Sequence, residues 1–337
     1  MCSPFRSAGI GSRPSLRSGP GVARAVKGLV APALLLIIGL SGAARAESSG
    51  APAAPAPTSQ PARTVLRVAA DPNNLPFSND ELQGFENKIA NVIAQDLGLK
   101  VEYVWHAQRR GFVRQTMKDG DADVMITCPT GLERVWTTKP YFRSTYVFVT
   151  RKDSPVHISS LDDPALKTLK VAVQVTGDAN TPPAQALGRR GIVNNVIGVT
   201  VYGDYHQPNP PARIIDAVAR GDADVAIVWG PLAGYFARQS SVPLELTAVT
   251  PQIDPPGLPF AFDVSVGVRK SDKPLRDQID QVLVRRHDEI QKILDAYGVP
   301  RAAPLSPQQA RELDHFKPDD DDGPGGKKKQ EKISCCD

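Results

Sequence analysis

The residues best suited to bind a small molecule stand just after apolar runs, where strands are expected to end. Arg134 comes shortly after the apolar run at residues 124–126, and a planar guanidinium can hold a carboxylate through two parallel hydrogen bonds. Trp229 follows a second run at residues 225–228, and its ring could either stack on a ligand or fill the core. The candidates for a binding cleft are Phe77, Glu86, Arg134, Thr176, Gly177, Asp178, Trp229 and Gly230.

Two interpretations remain open for Gly177 and Asp178. They precede Pro182 and Pro183, which suit the first turn of a helix. The backbone N–H groups at the start of a helix can hold an anion, whereas the side chain of Asp178 can cap the helix instead. We prefer capping, and keep both residues as cleft candidates because they follow a predicted strand.

The sequence holds little that could support catalysis or bind a metal. Its five histidines lack the spacing of a zinc site, and no Gly-x-Ser-x-Gly motif is present. The acidic residues at 119–123 and 222–224 occupy the same kind of turn, so turn chemistry explains them better than metal binding. The aspartates at 319–322 lack a loop that would space their oxygens around a cation. No enzyme, no catalytic residue and no metal ligand is predicted.

A repeated pentapeptide indicates which secondary-structure elements position these residues. Gly-Asp-Ala-Asp-Val occurs at residues 120–124 and again at residues 221–225. Each copy follows apolar residues at helical spacing and leads into a continuous apolar run. Glycine just past a helix suits the left-handed conformation that ends it, and a uniformly apolar run indicates a strand buried on both faces. We therefore predict a helix, a tight turn and a buried parallel strand in both places.

The similarity extends backward until each half of the chain reads β-α-β-α-β. The matching strand segments are 65–70 with 169–173 and 101–105 with 199–202. A helix is predicted over residues 85–97, with Gly98 as its stop, and a long amphipathic helical region over 273–297. The fold class is therefore α/β, with two lobes that are each a mostly parallel sheet flanked by helices.

Two further apolar segments, 146–149 and 263–268, lead from one lobe to the other and back. They predict a two-stranded hinge that would allow the lobes to close on a ligand. Lobe 1 is then discontinuous and comprises residues 64–145 and 263–316, whereas lobe 2 comprises residues 146–262. Ligands of open α/β sheets bind beyond the carboxyl ends of the strands, which is where the cleft candidates lie.

Residues 1–46 have the three parts of a secretory signal peptide. They contain a basic leader without acids, an apolar stretch at residues 28–40, and small residues around the expected cleavage site after Ala46. A membrane anchor is the alternative, but this stretch is shorter than the roughly 20 residues that cross a bilayer. We therefore predict a periplasmic protein with no membrane span after signal removal.

Removal of the signal peptide changes the net charge. Six of the 40 Lys and Arg residues and none of the 36 Asp and Glu residues lie in residues 1–46, so the formal net charge falls from +4 to −2. The mature chain has no basic stripe interleaved with aromatic residues, which excludes nucleic acid as a partner. The Pro/Ala-rich residues 47–63 are predicted to form a linker, and the charged residues 317–337 a disordered tail.

Several short motifs, in register with the predicted elements, resemble the type II periplasmic binding proteins of the amino-acid-transport kind over residues 64–316. They are Leu75-Pro76-Phe77, Gly84-Phe85-Glu86, residues 120–124, residues 127–134, Pro140-Tyr141-Phe142 and residues 267–270. In such amino-acid binders an arginine in the position of Arg134 grips the ligand carboxylate, and an acid in lobe 2 meets the ammonium. Here Trp229-Gly230-Pro231 stands where that acid would be, and an unpaired buried ammonium would cost several kcal/mol.

Amino-acid capture is therefore disfavoured, while a carboxylate-only or uncharged ligand stays open. An alternative function is the substrate-binding component of an ABC importer for a small organic solute, with an ABC permease as its partner. An enzyme on the same fold, such as a cyclohexadienyl-type dehydratase, is a third class, but no acid/base pair supports it.

A closer resemblance is to the MxaJ/XoxJ family. It is carried by GFENKIA at 84–90, VEYVW at 101–105, QRRGFVR at 108–114 and TTKPYFRSTYVFV at 137–149. The resemblance implies a periplasmic accessory protein of a PQQ-dependent quinoprotein methanol dehydrogenase that acts in its maturation or activation. The dehydrogenase, with its cytochrome c as a second candidate, would be the partner. PQQ and calcium or a lanthanide would belong to that partner, and this chain itself would hold no cofactor.

Four arginines surround these family motifs. Arginine and aromatic residues are enriched at protein interfaces, so these arginines are candidates for docking to the partner. The alternative is a solvated helix face with local ion pairs. The four residues are Arg109, Arg110, Arg114 and Arg143.

Overall fold

The computed structural model describes residues 63–176, 179–201 and 205–313, and all of them belong to one compact unit of the chain. The predicted signal peptide, the linker up to residue 62 and the predicted tail lie outside these residues. The strands are β1 (Val65–Ala70), β2 (Asn73–Asn74), β3 (Ser78–Asn79), β4 (Lys100–Trp105), β5 (Val124–Pro129), β6 (Val135–Thr137), β7 (Phe142–Arg151), β8 (Val171–Thr176), β9 (Ala179–Asn180), β10 (Val196–Thr200), β11 (Val225–Trp229), β12 (Leu244–Ala248), β13 (Ile253–Asp254), β14 (Leu258–Pro259) and β15 (Ala261–Arg269).

The helices cover the sheets and alternate with strands in the first part of each lobe. They are α1 (Phe85–Asp96), α2 (Pro182–Arg189), α3 (Arg213–Arg220), α4 (Gly230–Gln239), α5 (Lys273–Arg285), α6 (His287–Ala296) and α7 (Pro307–Leu313). A π-helical turn, Arg114–Lys118, precedes β5, and short 3-10 helices lie at Pro164–Lys167 and Pro210–Ala212. No helix among the described residues is long and apolar enough to span a membrane.

Both lobes contain the predicted parallel strands. In lobe 1, β1 lies between β4 and β5 and is parallel to both. In lobe 2, β8 lies between β10 and β11 and is parallel to both. The order across the main path of the sheet is β10-β8-β11-β7-β15-β5-β1-β4. This is the type II fold of solute-binding proteins, as the sequence predicts.

Strands β7 and β15 form the hinge between the lobes. They pair antiparallel, with Thr145 opposite Ala261 and Phe142 opposite Val264. Beyond this pairing β7 continues into lobe 2 beside β11 and β12, while β15 continues into lobe 1 beside β5 and β6. Each strand therefore belongs to both lobes, and the chain crosses twice between them.

The two copies of the repeated pentapeptide differ in backbone conformation. Gly221 ends α3 with φ +79°, which is the left-handed cap that the sequence predicts. The same prediction is wrong for Gly120, whose φ is not in the left-handed region. A Cβ on Gly120 would lie 2.3 Å from the carbonyl oxygen of Gln115, so close packing against the wide π-helical turn explains this glycine.

Three element bounds also differ from the sequence-based prediction. The predicted helical region at 273–297 is two helices, α5 and α6, because the backbone leaves helical geometry at Arg286. Arg285 and Arg286 both pair with Asp96 at the end of α1, so the break lies against a neighbouring helix. In lobe 2 the strand predicted at 169–173 is β8, at Val171–Thr176, and the strand predicted at 199–202 is β10, at Val196–Thr200.

Candidate functional site

A cavity of about 250 Å³ lies between the lobes, beside the hinge. Its walls include the carboxyl ends of β5, β8 and β11, where ligands of open α/β sheets bind. Hinge residues from β7 and β15 complete it. The lining residues are Phe77, Gln108, Thr127, Cys128, Pro129, Tyr146, Gln174, Pro182, Trp229, Phe262 and Val264. Two of the predicted cleft residues, Phe77 and Trp229, are therefore in the wall.

Four of the eleven described lining residues of this cleft cavity are aromatic. Trp229 packs edge-on against Tyr146 and Phe262, with ring centroids 5.4 Å and 5.7 Å away. Phe77, from the opposite lobe, is held in place by Phe85 at a centroid distance of 5.3 Å. Trp229 thus packs against other rings of the wall and lines the cavity, and its stacking on a ligand stays a prediction.

Glu86 lies behind the wall, in the first turn of α1. Its backbone N–H donates to the carbonyl oxygen of Phe77 at 2.9 Å, and its carboxyl group accepts a hydrogen bond from Thr127. Only 6% of the residue is exposed. Burial raises the pKa of Glu86 from its ordinary value of 4.5 to about 7; the Thr127 hydrogen bond opposes this effect and the charge of Asp71 adds to it. Glu86 is therefore a buried carboxyl group in contact with two lining residues.

Asp71, just after β1, is a second buried carboxyl group behind the same wall. It accepts hydrogen bonds from the backbone N–H groups of Asn73, at 2.9 Å, and Gln108, at 2.6 Å. Burial raises the pKa of Asp71, although these hydrogen bonds and the nearby His106 act in the opposite direction. Asp71 was not among the residues predicted from the sequence.

Arg134 and Gly230 are not among the residues that line the cavity. Arg134 precedes β6 and its side chain is half-buried, but it is absent from the cavity wall. Gly230 begins α4, where a Cβ would lie 2.5 Å from the carbonyl oxygen of Thr145, so it serves close packing at the hinge. Thr176 is the last residue of β8. Gly177 and Asp178 lie outside the described residues.

A larger cavity, of about 560 Å³, lies where a loop of each lobe approaches the other. The amide of Asn73 donates to the carbonyl oxygen of Gln207 at 2.8 Å and so bridges the lobes directly. Tyr205, beside this bridge, has its pKa raised to about 12, first by burial and then by the charge of Asp71, while Arg109 lowers it. Arg109 therefore lies at the junction of the two lobes.

The four candidate docking arginines occupy different environments. Arg109 and Arg110 are exposed in the turn before the π-helical segment, and Arg114, within that segment, is half-buried. The side chain of Arg143 is only 11% exposed and pairs with Asp263 at 3.1 Å. It also donates to the carbonyl oxygen of Ala303 and the side chain of Gln252, both at 3.2 Å. Arg143 thus joins internal elements, whereas Arg109 and Arg110 face solvent.

The site has no features of a metal or thiol centre in the part of the chain that is described. No group of three or more His, Cys, Asp or Glu side chains there is placed to hold a metal ion. Cys128 faces the cavity but is otherwise buried; its thiol lies 3.5 Å from the carbonyl oxygen of Ser265 as a weak donor, and burial raises its pKa. This cysteine is a small apolar wall residue.

The described residues of the cavity wall indicate what chemistry it offers. Among the described residues, eleven line it and none of them is charged. Arg134 is not among these lining residues. The cavity instead offers aromatic faces, two side-chain amides and a threonine hydroxyl, a composition typical of a small-molecule site.

Comparison with known proteins places the whole fold in a family. The model of the bacterial extracellular solute-binding proteins, family 3, matches residues 66–300. Protein MoxJ of Methylorubrum extorquens is 32% identical over 276 residues, which cover 80% of this chain and 92% of MoxJ.

Two solved structures extend this comparison. MxaJ from Methlophaga aminisulfidivorans has a TM-score of 0.62 at 27% identity, covering 70% of this chain and 100% of MxaJ. The periplasmic binding protein XoxJ from Methylobacterium extorquens has a TM-score of 0.58 at 34% identity, covering 71% of this chain and 100% of XoxJ. The chain therefore belongs to family 3 of the bacterial extracellular solute-binding proteins and, within it, to the group that contains MoxJ, MxaJ and XoxJ.

Proposed function

We propose that this chain is a periplasmic accessory protein of a PQQ-dependent methanol dehydrogenase and acts in its maturation or activation. The observation that carries the proposal is the similarity to MoxJ over 276 residues, which includes the motifs at 84–90, 101–105, 108–114 and 137–149. These motifs resemble the MxaJ/XoxJ family, whose implied role is to assist a quinoprotein methanol dehydrogenase. PQQ and calcium or a lanthanide would be held by the dehydrogenase.

The geometry of the cleft cavity supports this role over amino-acid delivery. A receptor for an amino acid needs one group for the carboxylate and another for the ammonium, because an unpaired buried charge is costly. Among the described residues that line the cavity, neither Arg134 nor an acid of lobe 2 supplies such a group. The bilobed fold is therefore better suited to present a surface to a protein than to capture a zwitterion.

The surface that we assign to the dehydrogenase includes Arg109 and Arg110. Both are exposed, both lie in the motif at 108–114, and Arg109 is close enough to Tyr205 to act on its pKa. This position at the junction of the lobes would let a partner contact both lobes at once. Arginines in such a position favour docking because they form directed hydrogen bonds and pack on aromatic rings.

A deletion strain and co-purification test the proposal. Loss of the gene should lower the activity of the methanol dehydrogenase, and the wild-type gene should restore it. A variant with Arg109→Ala and Arg110→Ala should retain its fold but recover at least about tenfold less dehydrogenase in co-purification. Arg220→Ala, which removes an exposed arginine paired with Asp222 at 2.8 Å, is the matched control and should behave as wild type. Normal dehydrogenase activity in the deletion strain would overturn the proposal.

The second candidate function is the binding component of an importer for a small organic solute. It is favoured by one observation, the cavity between two hinged lobes. Thermal-shift measurement against small metabolites distinguishes it, since a ligand at 100 times its Kd stabilises the folded state by about 2.7 kcal/mol. Permease and ATPase genes beside this gene would also support it, whereas dehydrogenase and cytochrome genes would support the first proposal.

A further inference from the structure

Two buried carboxyl groups lie next to the cleft cavity, whose described wall is uncharged. They belong to Glu86 and Asp71, which are both buried directly behind this wall. Glu86 is joined to the lining residues Phe77 and Thr127, and Asp71 is joined to the lining residue Gln108. Two potential negative charges are thus held beside a space that a ligand could fill.

Glu86 has no counter-ion among the described residues. The charged group that acts on its carboxyl is another acid, Asp71, and no Lys or Arg of this part of the chain forms an ion pair with it. The other titratable side chains that interact with the two carboxyls come from several elements. They are Tyr103 on β4, His106 after β4, Cys128 on β5, Tyr141 before β7 and Tyr205 before the 3-10 helix at Pro210–Ala212.

The wall provides the other half of a cation site. Phe77, Tyr146, Trp229 and Phe262 all line the cavity, and the faces of such rings attract organic cations, most strongly when water is excluded. An anion would meet two carboxyl groups and no cationic residue in the described part of the wall. A zwitterion would find no cationic partner for its carboxylate among the described lining residues. A small cation with an apolar body fits both the aromatic faces and the charge behind them.

We propose that the cleft cavity binds a small organic cation of the alkylammonium class, with the aromatic wall around its apolar groups and the carboxylate of Glu86 as its counter-ion. This site is separate from the exposed arginines assigned to the dehydrogenase, and the inference does not depend on that function. At about 250 Å³ the cavity is smaller than the usual range for drug-sized ligands, so the cation is a compact one.

The proposal couples binding to proton release. A bound cation favours the ionised form of Glu86, whose pKa in the empty cavity is about 7. Below that pH the ligand must displace a proton from Glu86, and its affinity falls. Between pH 8 and pH 6 the affinity of a cation should therefore fall about tenfold.

Three isosteric probes test the proposal by calorimetry on the mature chain. Choline carries the cation, 3,3-dimethylbutan-1-ol has the same shape without charge, and 3,3-dimethylbutanoate has a negative charge. At pH 8 choline should bind at least about tenfold more tightly than either of the others. Glu86→Gln should remove this preference and the pH dependence of choline binding. Glu102→Gln, which removes an exposed acid on β4, should change neither.

The pH series on the unaltered protein keeps the test independent of how any variant folds. Equal or tighter binding of the neutral or anionic probe would overturn the proposal. So would choline affinity that does not change between pH 6 and pH 8, or the absence of choline binding at millimolar concentration. None of these results bears on the dehydrogenase, whose activity in the deletion strain is measured separately.

Discussion

Replacing Glu86 by glutamine should reduce the loss of stability between pH 5 and pH 8. The free energy of unfolding of the variant should fall less over this range than that of the wild-type protein. The carboxyl group is buried behind the cleft cavity, and burial raises its pKa from 4.5 to about 7. A raised pKa means that the folded protein holds a proton that the unfolded chain has already released. The stabilising contribution of the neutral carboxyl is therefore complete below about pH 4.5 and is lost as the pH rises through about 7. An amide keeps the shape of the side chain and does not titrate.

The size of the effect follows from the interval between the two pKa values. Each pH unit of that interval corresponds to about 1.4 kcal/mol, so ionising Glu86 in the folded state costs about 3 kcal/mol in full. Between pH 5 and pH 8 the wild-type free energy of unfolding should fall by about 2–3 kcal/mol more than that of the glutamine variant. This is a large change for a protein domain whose total stability is about 5–15 kcal/mol.

Urea unfolding at several pH values between 5 and 8 measures this difference, because the midpoint shifts while the slope stays constant. Glu102→Gln is the matched control: its side chain is 59% exposed and pairs loosely with Arg67 at 3.8 Å. Stability curves of wild type and this control should run parallel. If the curves of wild type and Glu86→Gln also run parallel over this pH range, the carboxyl of Glu86 is not held neutral in the folded protein and the reasoning fails.

Three further predictions concern packing, a buried ion pair and the thiol. Gly230→Ala should destabilise the protein by about 1–3 kcal/mol, because its Cβ would lie 2.5 Å from a backbone oxygen of β7. The control Gly188→Ala has open space around it and should stabilise α2 by about 0.5–1 kcal/mol. Equal effects of the two substitutions in urea unfolding would contradict this prediction. Arg190→Leu should cost about 3 kcal/mol in urea unfolding, since it removes two hydrogen bonds to Asp254, whose side chain is 2% exposed, and leaves this carboxylate paired with the more distant Arg189 at 3.8 Å. A loss below about 1 kcal/mol would refute this role. Cys128 should react with a thiol reagent at least about a hundredfold more slowly in the folded than in the urea-unfolded protein, because burial raises its pKa, and equal rates would show that the cavity wall is open.

Local sequence patterns predict the fold of this chain well because the two halves share one repeat. The pentapeptide at 120–124 and 221–225 marks corresponding turns, and the apolar runs after it become β5 and β11. What it does not reveal is that Gly221 supplies a left-handed cap while Gly120 supplies close packing. That difference arises from the π-helical turn before β5, whose width depends on its contacts in the folded lobe.

The cleft is only partly predictable, for a related reason. Phe77 and Trp229 follow strands, so the rule for α/β sheets places them in the wall. Tyr146 and Phe262 lie on the hinge strands, which the sequence predicts as connections between the lobes and not as part of the cavity wall. Their rings reach the cavity because β7 and β15 pair antiparallel across the lobes, a long-range contact that no local pattern reports.

Asp71 and Arg134 also show that a position in the sequence does not by itself identify a site residue. Asp71 lies behind the cavity wall but was not a candidate, whereas Arg134 was a candidate but does not line the cavity. Asp71 immediately follows β1, so its place at a strand end is a signal that the sequence offers, but its burial is not. Arg134 matches a motif position, yet the chain continues beyond β5 through a turn before reaching it, and its side chain does not reach the cavity wall. Position along the chain therefore suggests a site residue, and packing decides whether it belongs to the site.

The most direct test of the central claim is the cofactor content of the dehydrogenase itself. The methanol dehydrogenase is purified from a strain that lacks this gene and from the same strain carrying it, and PQQ and bound metal are measured per dehydrogenase molecule together with the specific activity. An accessory role in maturation or activation predicts that the enzyme from the deletion strain has lower specific activity or incomplete cofactor, and that the restored gene returns both to normal. A fully loaded and fully active enzyme in the absence of this protein would contradict the account.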